Sequence, residues 1–393
     1  MSRKSILVLT IVLSSLCLTN CKNQQPKQND NVKVIKVNPK LNQGALLSDF
    51  VEIIDIIPLE TNPKGLVASV DQLRFHNGRF YMHQQFGARK ALCFNANGKF
   101  LFQIGSEGKA EGEYVTIRSL NVNPWKNRLE LYDINQDKIL YYDFDANYIG
   151  YGKVGRKARH YTVLDSLHYA FFNDGEYEDL PYNLFISPQD NFEVIHPSIP
   201  FQGERDIMNN VNPFWEQEGS VLFAFSLNDT IYSVTSEGAK PMYVLDLGEE
   251  RIPSDILEKG MQDIVSFAMN NLVPSFVCHM VENTNYLSIS YFHQIPKKNT
   301  IFVSKDNLNV TNVNEPVNDI NYLPFPPPYC TMNGHFVTLI PAHEVVVIYN
   351  EKQAIYNQSP EKINSQAFAK LKSIASKLNE NSNPILMVYR LKE

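Results

Sequence analysis

Arg128-Leu129-Glu130-Leu131-Tyr132, Ile139-Leu140-Tyr141-Tyr142, the turn Asp143-Phe144-Asp145-Ala146-Asn147 and Tyr148-Ile149-Gly150 form the unit of sequence that decides the fold. Its runs are short, rich in β-branched and aromatic residues, and bounded by Asp, Asn or Gly, the pattern of a strand meander closed by Asx turns. An earlier copy reads Phe80-Tyr81-Met82, Ala91-Leu92-Cys93-Phe94, the turn Asn95-Ala96-Asn97-Gly98 and residues 99–105. A later one reads 221–225, Thr230-Ile231-Tyr232-Ser233-Val234, the turn Ser236-Glu237-Gly238 and 243–247. Meanders whose third strand follows an Asx or Gly turn, recurring every few tens of residues, predict an all-β chain, a β-propeller.

Two stretches depart from the strand period. Leu257, Met261, Ile264, Val265 and Ala268 fall on one helix face, with Ser254 as N-cap, so 254–269 reads as a helix. Phe368, Leu371, Ile374, Ala375 and Leu378 do the same after Ser359-Pro360. Both read as short helical insertions whose apolar stripes pack on the propeller. With these set aside, residues 46–393 give about 52 residues per blade for six blades and about 44 for seven. Chain length alone leaves both numbers open.

Composition narrows the function classes. The chain has 393 residues, 44% of them apolar and 20% charged, with a net charge of −6. A chain of this length buries enough surface to fold without disulfide or metal. The acidic balance argues against a nucleic-acid binder, which needs a basic face.

Arg3 and Lys4 precede an uncharged run, Ile6 to Leu18, too short to span a bilayer as a helix but suited to a signal peptide. It ends at Leu18-Thr19-Asn20-Cys21, which resembles the lipobox of bacterial lipoproteins; Cys17 fits less well, because Ser14 stands where Leu is preferred. The resemblance implies cleavage before Cys21, a palmitate-bearing lipid anchor on Cys21, and residence on the cell envelope, at the outer membrane of a Gram-negative bacterium. The expected organisation is a signal peptide at 1–20, a lipidated flexible tether at 21–45 and the propeller at 46–393. The stretch from Lys22 to Asn31 has no apolar side chain, as a tether should not. Removing Arg3 and Lys4 takes the net charge from −6 to −8, so lipid rather than charge holds the protein to the membrane.

Residues 47–61, Leu-Ser-Asp-Phe-Val-Glu-Ile-Ile-Asp-Ile-Ile-Pro-Leu-Glu-Thr, resemble the opening of the six-bladed β-propeller lipoproteins, relatives of NHL-repeat propellers. The run from Gly105 to Tyr114 and the stretch Asn383-Pro384-Ile385-Leu386-Met387-Val388-Tyr389-Arg390 resemble that family as well. The resemblance implies six blades and an envelope address, and no particular reaction. The two terminal runs, 51–59 and 385–391, are both strongly β-prone and lack a local partner. Closure of the ring therefore predicts that they share one sheet, as neighbours or with other strands between them, and that Pro58 sits at a strand end or faces away from pairing.

Chemical motifs are sparse. Asp133-Ile134-Asn135-Gln136-Asp137 begins like a calcium loop, but Lys138 replaces its Gly and Phe144 its last Glu, so it reads as a hairpin turn. The acidic run 173–179 reads as a solvated turn. His343-Glu344 is not followed by a zinc pattern, and His335 and His343 read as structural histidines in neighbouring apolar strands. Cys93 reads as a buried, inert thiol, while the disulfide status of Cys93, Cys278 and Cys330 stays open. No catalytic residue, metal or cofactor is expected. Asp165-Ser166-Leu167 and Asp229-Thr230-Ile231 resemble a short O-glycosylation motif of envelope proteins.

The most unusual stretch is Leu323-Pro324-Phe325-Pro326-Pro327-Pro328-Tyr329. Its prolines forbid a central strand and stiffen an extended loop, which makes Phe325 and Tyr329 the candidate ligand-binding residues. The expected function is a monomeric, non-catalytic binding or scaffolding module for a glycan, peptide or protein. The alternative is a hydrolase or lyase acting on an extracellular polymer at the central mouth. A cluster of His, Arg, Tyr and carboxylates tuned for proton transfer would favour the enzyme; aromatic and amide groups without an acid–base pair would favour the binder.

Overall fold

The computed structural model describes residues 32–38, 44–85, 87–174, 180–201, 212–217, 220–225, 228–248, 252–271, 277–292, 298–313 and 315–392. They form six blade sheets around a central channel, with a two-stranded ladder, Ser106–Glu107 with Glu113–Tyr114, beside them. Blade 1 is Gln72–His76, Arg79–His83, Ala91–Asn95 and Phe100–Gln103; blade 2 is Ile117–Asn123, Arg128–Asp133, Lys138–Tyr142 and Tyr148–Lys153. Blade 3 is His160–Val163, His168–Phe172, Leu184–Pro188 and His196–Pro197; blade 4 is Phe214–Gln217, Ser220–Phe223, Thr230–Thr235 and Gly238–Asp246. Blade 5 is Val277–Glu282, Tyr286–Phe292, Lys298–Ser304 and Val310–Asn312. The first strand of each of these sheets touches the first strand of the next, and the cycle closes through Cys330–Met332 of blade 6 back to blade 1. The blade number is six, the one that the family resemblance implies.

Blade 6 joins the two ends of the chain. Its order is Cys330–Met332, His335–Ile340, Ile385–Leu391 and, outermost, Val51–Pro58. Val51 lies opposite Leu391 and Pro58 opposite Ile385, so the terminal runs are direct neighbours and Pro58 stands at the strand end. Six of the seven side chains in Ile385–Leu391 are buried. At about 1.5–3 kcal/mol for each large apolar side chain, this one strand withdraws roughly 10 kcal/mol of apolar surface from water. That gross figure is as large as the whole net stability of a typical domain, about 5–15 kcal/mol. Asn383 locks the junction: its Nδ2 donates to the Glu60 and Gly65 carbonyls, both at 2.7 Å, and its Oδ1 accepts from Val67 N at 2.9 Å.

The domain starts earlier than the expected boundary at residue 46. Lys33–Lys36, placed in the tether by composition, pairs in parallel with the outer strand of blade 4. Ile35 is fully buried there beside Tyr243 and Leu245, with Val37 next to it. Exposed Val34 and Lys36 alternate with buried Ile35 and Val37, a strand pattern, and the added strand covers an edge that would otherwise be open to pairing.

The helices also differ from expectation in detail. The insertion between blades 4 and 5 is two helices, α1 (Ser254–Leu257) and α2 (Met261–Asn271), separated at Gly260. Ile264 packs with Ile252, Ile256, Leu257 and Phe267 in a small cluster of their own. The other insertion lies within blade 6 and also holds two helices, α3 (Ala342–Gln358) and α4 (Ser365–Ala375). Asn364 caps α4, accepting from Gln366 N and Ala367 N, while Pro360 opens a separate short 3-10 turn. Phe368, Leu371 and Ala375 pack on Ile340, Ile385 and Met387 of blade 6, as the apolar stripe predicts. The α3 helix overturns the strand reading of His343, which lies in its first turn; His335 does lie in a strand. Val345-Val346-Val347-Ile348 favours strand locally, but the helix-forming residues that follow and the packing of Val345 on blade 6 prevail.

The run from Gly105 to Tyr114 links blades 1 and 2 and is structural. Tyr114 is buried, Tyr142 Oη donates to the Gly112 carbonyl at 2.8 Å, and Gly105 adopts φ +62° with no room for a Cβ beside the Tyr142 hydroxyl. The Asp133 turn is a hairpin: Asp133 Oδ1 accepts from Asn135 N and Gln136 N at 2.9 and 3.1 Å.

Removal of residues 384–393 should abolish the cooperative thermal transition of the whole domain. Differential scanning calorimetry checks this; a truncated protein that melts like the parent would refute the closure.

Candidate functional site

Each blade begins at the channel, so its first residues gather at one mouth, here the upper one. Gln72 opens blade 1, Arg118 lies at the start of blade 2, His160 opens blade 3 and His279 lies near the start of blade 5. His83, at the end of the second strand of blade 1, and Lys298, at the start of the third strand of blade 5, return to the same level. All six line a cavity of about 490 Å³, and Pro324, Pro326, Pro327 and Tyr329 form part of its wall. The proline loop is held by Thr338, whose Oγ1 lies 3.0 and 2.9 Å from the Pro326 and Pro327 carbonyls, and by Tyr329 N donating to Val337 O at 2.8 Å.

The two candidate aromatics separate. Tyr329 reaches the cavity, and its ring centre stands 5.6 Å from that of His279. Phe325 turns inward and packs on Tyr389 with ring centres 4.8 Å apart. Cys21 and residues 175–179 lie outside the described residues. Asp174, from the same acidic run, is buried and paired with Arg159 at 3.3 Å. Cys93 and Cys330 are free thiols, each pushed up to about 12 by burial. Ser166 is exposed in a hairpin and Thr230 is half-buried at a strand start.

The histidines are the residues that sequence reasoning missed. His83 Nε2 donates to the Ile117 carbonyl at 3.2 Å, and burial lowers its pKa to about 4, helped by the nearby Arg118 charge. His160 Nδ1 lies 3.3 Å from Ser119 Oγ; burial holds it well below the usual range, and Arg118 and Arg159 add to the effect. His279 accepts from Trp215 Nε1 at 3.1 Å, and burial, then Lys298, lowers it to about 4. All three are neutral at pH 7. A base with pKa about 4 is far from the value near 7 that proton transfer at neutral pH requires. The mouth thus combines His, Arg and Tyr, yet its imidazoles are tuned for hydrogen bonding. Among the described residues, no group of three His, Cys, Asp or Glu could hold a metal ion.

At mid-depth the channel is bridged from blade 1 to blade 4, which face each other across a ring of six. Arg74 meets Glu216 at 3.1 Å and also donates to Leu120 O and Asn121 Oδ1, both at 3.0 Å. The Thr162 hydroxyl donates to Glu216 as well. Below this bridge a second cavity, about 520 Å³, is lined by both tryptophans, Trp125 and Trp215.

Six blades enclosing a polar mouth and a bridged channel place the protein among the six-bladed β-propellers. Residues 32–390 match the family described as Domain of unknown function (DUF4934), and the chain belongs to that family. A crystal structure of a protein from Bacteroides fragilis, described as exported, superposes with TM-score 0.75 at 18% identity, over 92% of this chain and 100% of that one. A member of the DUF4221 family from Bacteroides vulgatus superposes with TM-score 0.52 at 10% identity, over 88% of this chain and 99% of the other. At these identities the likeness shows the fold alone. No curated protein matches the chain.

Acid should destabilise the domain through its buried imidazoles. Their folded pKa values lie below the unfolded value of about 6.5, so the unfolded chain takes up protons first as pH falls. The stabilisation from His83 is complete above pH 6.5 and is lost as pH falls towards 4, by about 3 kcal/mol. Thermal midpoints from pH 7.5 to 4 check this. His83→Asn should flatten the decline, and an unchanged slope would show that His83 is not the group responsible.

Proposed function

We propose that the protein is an exported, envelope-attached binding module whose ligand sits in the upper mouth of the propeller. The observation that carries this reading is a set of neutral histidines, His83 and His160 buried and His279 half-buried, that line one cavity beside a proline-stiffened wall. Propellers present loops on a rigid ring, and concave sites with a few convergent polar groups are the usual place for a ligand. The depressed imidazole pKa values weigh against the hydrolase or lyase alternative, because these rings neither hold a proton at pH 7 nor accept one readily.

Glycan and peptide arrays probed with the purified protein test the binding role. Lys298→Ala and Tyr329→Ala should each weaken capture about tenfold without shifting the thermal midpoint by more than a few degrees. Binding that is indifferent to both substitutions would place the ligand elsewhere.

The envelope attachment rests on the charged start, the uncharged run and Cys21. The bacterial lipoprotein pattern that these residues resemble puts a palmitate-bearing lipid on Cys21, and the outer membrane is the proposed address. Metabolic labelling with a palmitate analogue should mark the protein and fail to mark Cys21→Ala; label retained on the variant would sink the anchor.

A further inference from the structure

We propose that the upper mouth takes a saccharide of one or two rings, held through its hydroxyl groups. This rests on the binding role proposed above and names the ligand's chemistry. Some polar atoms of the cavity can only give a hydrogen and others can only take one.

His83 is fully buried, and its Nε2 faces the Ile117 carbonyl, which can only accept. In the neutral ring the proton is therefore on Nε2, and Nδ1 is a bare acceptor without a partner among the described residues. Gln72, 8% exposed, is the reverse case. Its Oε1 takes the Leu120 N–H at 2.8 Å, and its Nε2 is a donor without a partner among the described residues. Gln72 and His83 are directly opposite each other on neighbouring strands of blade 1, so this one wall sets a donor beside an acceptor, and a ligand group that satisfies both must accept and donate at the same place. The charged groups repeat the alternation: Arg118 and Lys298 donate, while Asp71 and Glu344 accept, and all four line the same cavity.

Two positive and two negative groups leave little net charge, which disfavours phosphate, sulfate and polyanions. A hydroxyl both donates and accepts, so a ring bearing several of them meets mixed walls from every side. Each edge of an extended peptide carries the N–H and C=O of every second residue at a fixed spacing of about 7 Å, so it matches such a wall only in one register. The Tyr329 ring and the proline faces supply the apolar surface that the C–H face of a sugar requires. The volume, about 490 Å³, suits a compact ligand rather than a long strand.

The test titrates the purified protein with a panel of neutral disaccharides (cellobiose, lactose, maltose and diacetylchitobiose), a tripeptide and inorganic phosphate, read by ligand-observed NMR. At least one disaccharide should bind more tightly than either the tripeptide or phosphate. His83→Phe and Lys298→Met should each lower its affinity about tenfold, as for one or two lost hydrogen bonds. His83→Phe also removes the bond to Ile117; the exposed Lys298 makes its substitution the variant that leaves the core intact. Tighter binding of the tripeptide or phosphate, or binding of no disaccharide, would overturn the saccharide assignment. In those cases the wider binding role stands if the arrays show capture lost on Tyr329→Ala, and falls if they do not.

Discussion

The pairing of Val51–Pro58 with Ile385–Leu391 is the constraint on which the rest of the molecule depends. Six sheets around a channel each pack both faces on a neighbour only when the ring is closed, and here one sheet is shared by the two ends of the chain. The apolar side chains of Ile385–Leu391 connect that sheet to two neighbouring cores: Leu386 and Val388 pack with blade 1, and Tyr389 packs with Phe302 of blade 5. Asn383 adds a polar lock at the same junction. Closure fixes where the first strand of every blade sits, and the first strands build the site.

The channel is polar, and its groups are held rather than solvated. Side chains reach from one blade to the backbone of the next: Gln72 to Leu120, Asn121 to Tyr161, His83 to Ile117. Such bonds add little net stability one by one, but leaving any of these groups buried and unmade costs more than it yields when made. The Arg74–Glu216 pair follows the same logic, with Asn121 and Thr162 completing the shell of two charges. A mouth assembled from such contacts is preorganised, so a ligand binds it without first paying to order it.

Much of the fold was legible because it is written locally. Asx turns after aromatic runs announced the blades, and two unpartnered β-prone termini announced their own pairing. What escaped had competing local signals. The β-branched run Val345–Ile348 looked like strand until its polar continuation and its packing on blade 6 made it helix, and Lys33–Lys36 is too brief to stand out beside a polar tether. In the site, the proline loop was visible for its composition, and Tyr329 does reach the cavity. The histidines were not visible, because His83, His160 and His279 are separated by 77 and 119 residues and no spacing rule joins them. Their common signal is position within the repeat: Gln72, Arg118, His160 and His279 all fall at or near the start of a first strand.

Native-state amide hydrogen exchange reads the strength of the closure strand by strand. If closure holds the ring together, the amides of 51–58 and 385–391 that donate within blade 6 should exchange only through global unfolding. Their opening free energy should then equal that of Leu129 and Leu131 in the middle of blade 2. Exchange of the terminal strands at markedly lower free energy, while blade 2 stays protected, would show that the ring survives without its closure and would contradict the account.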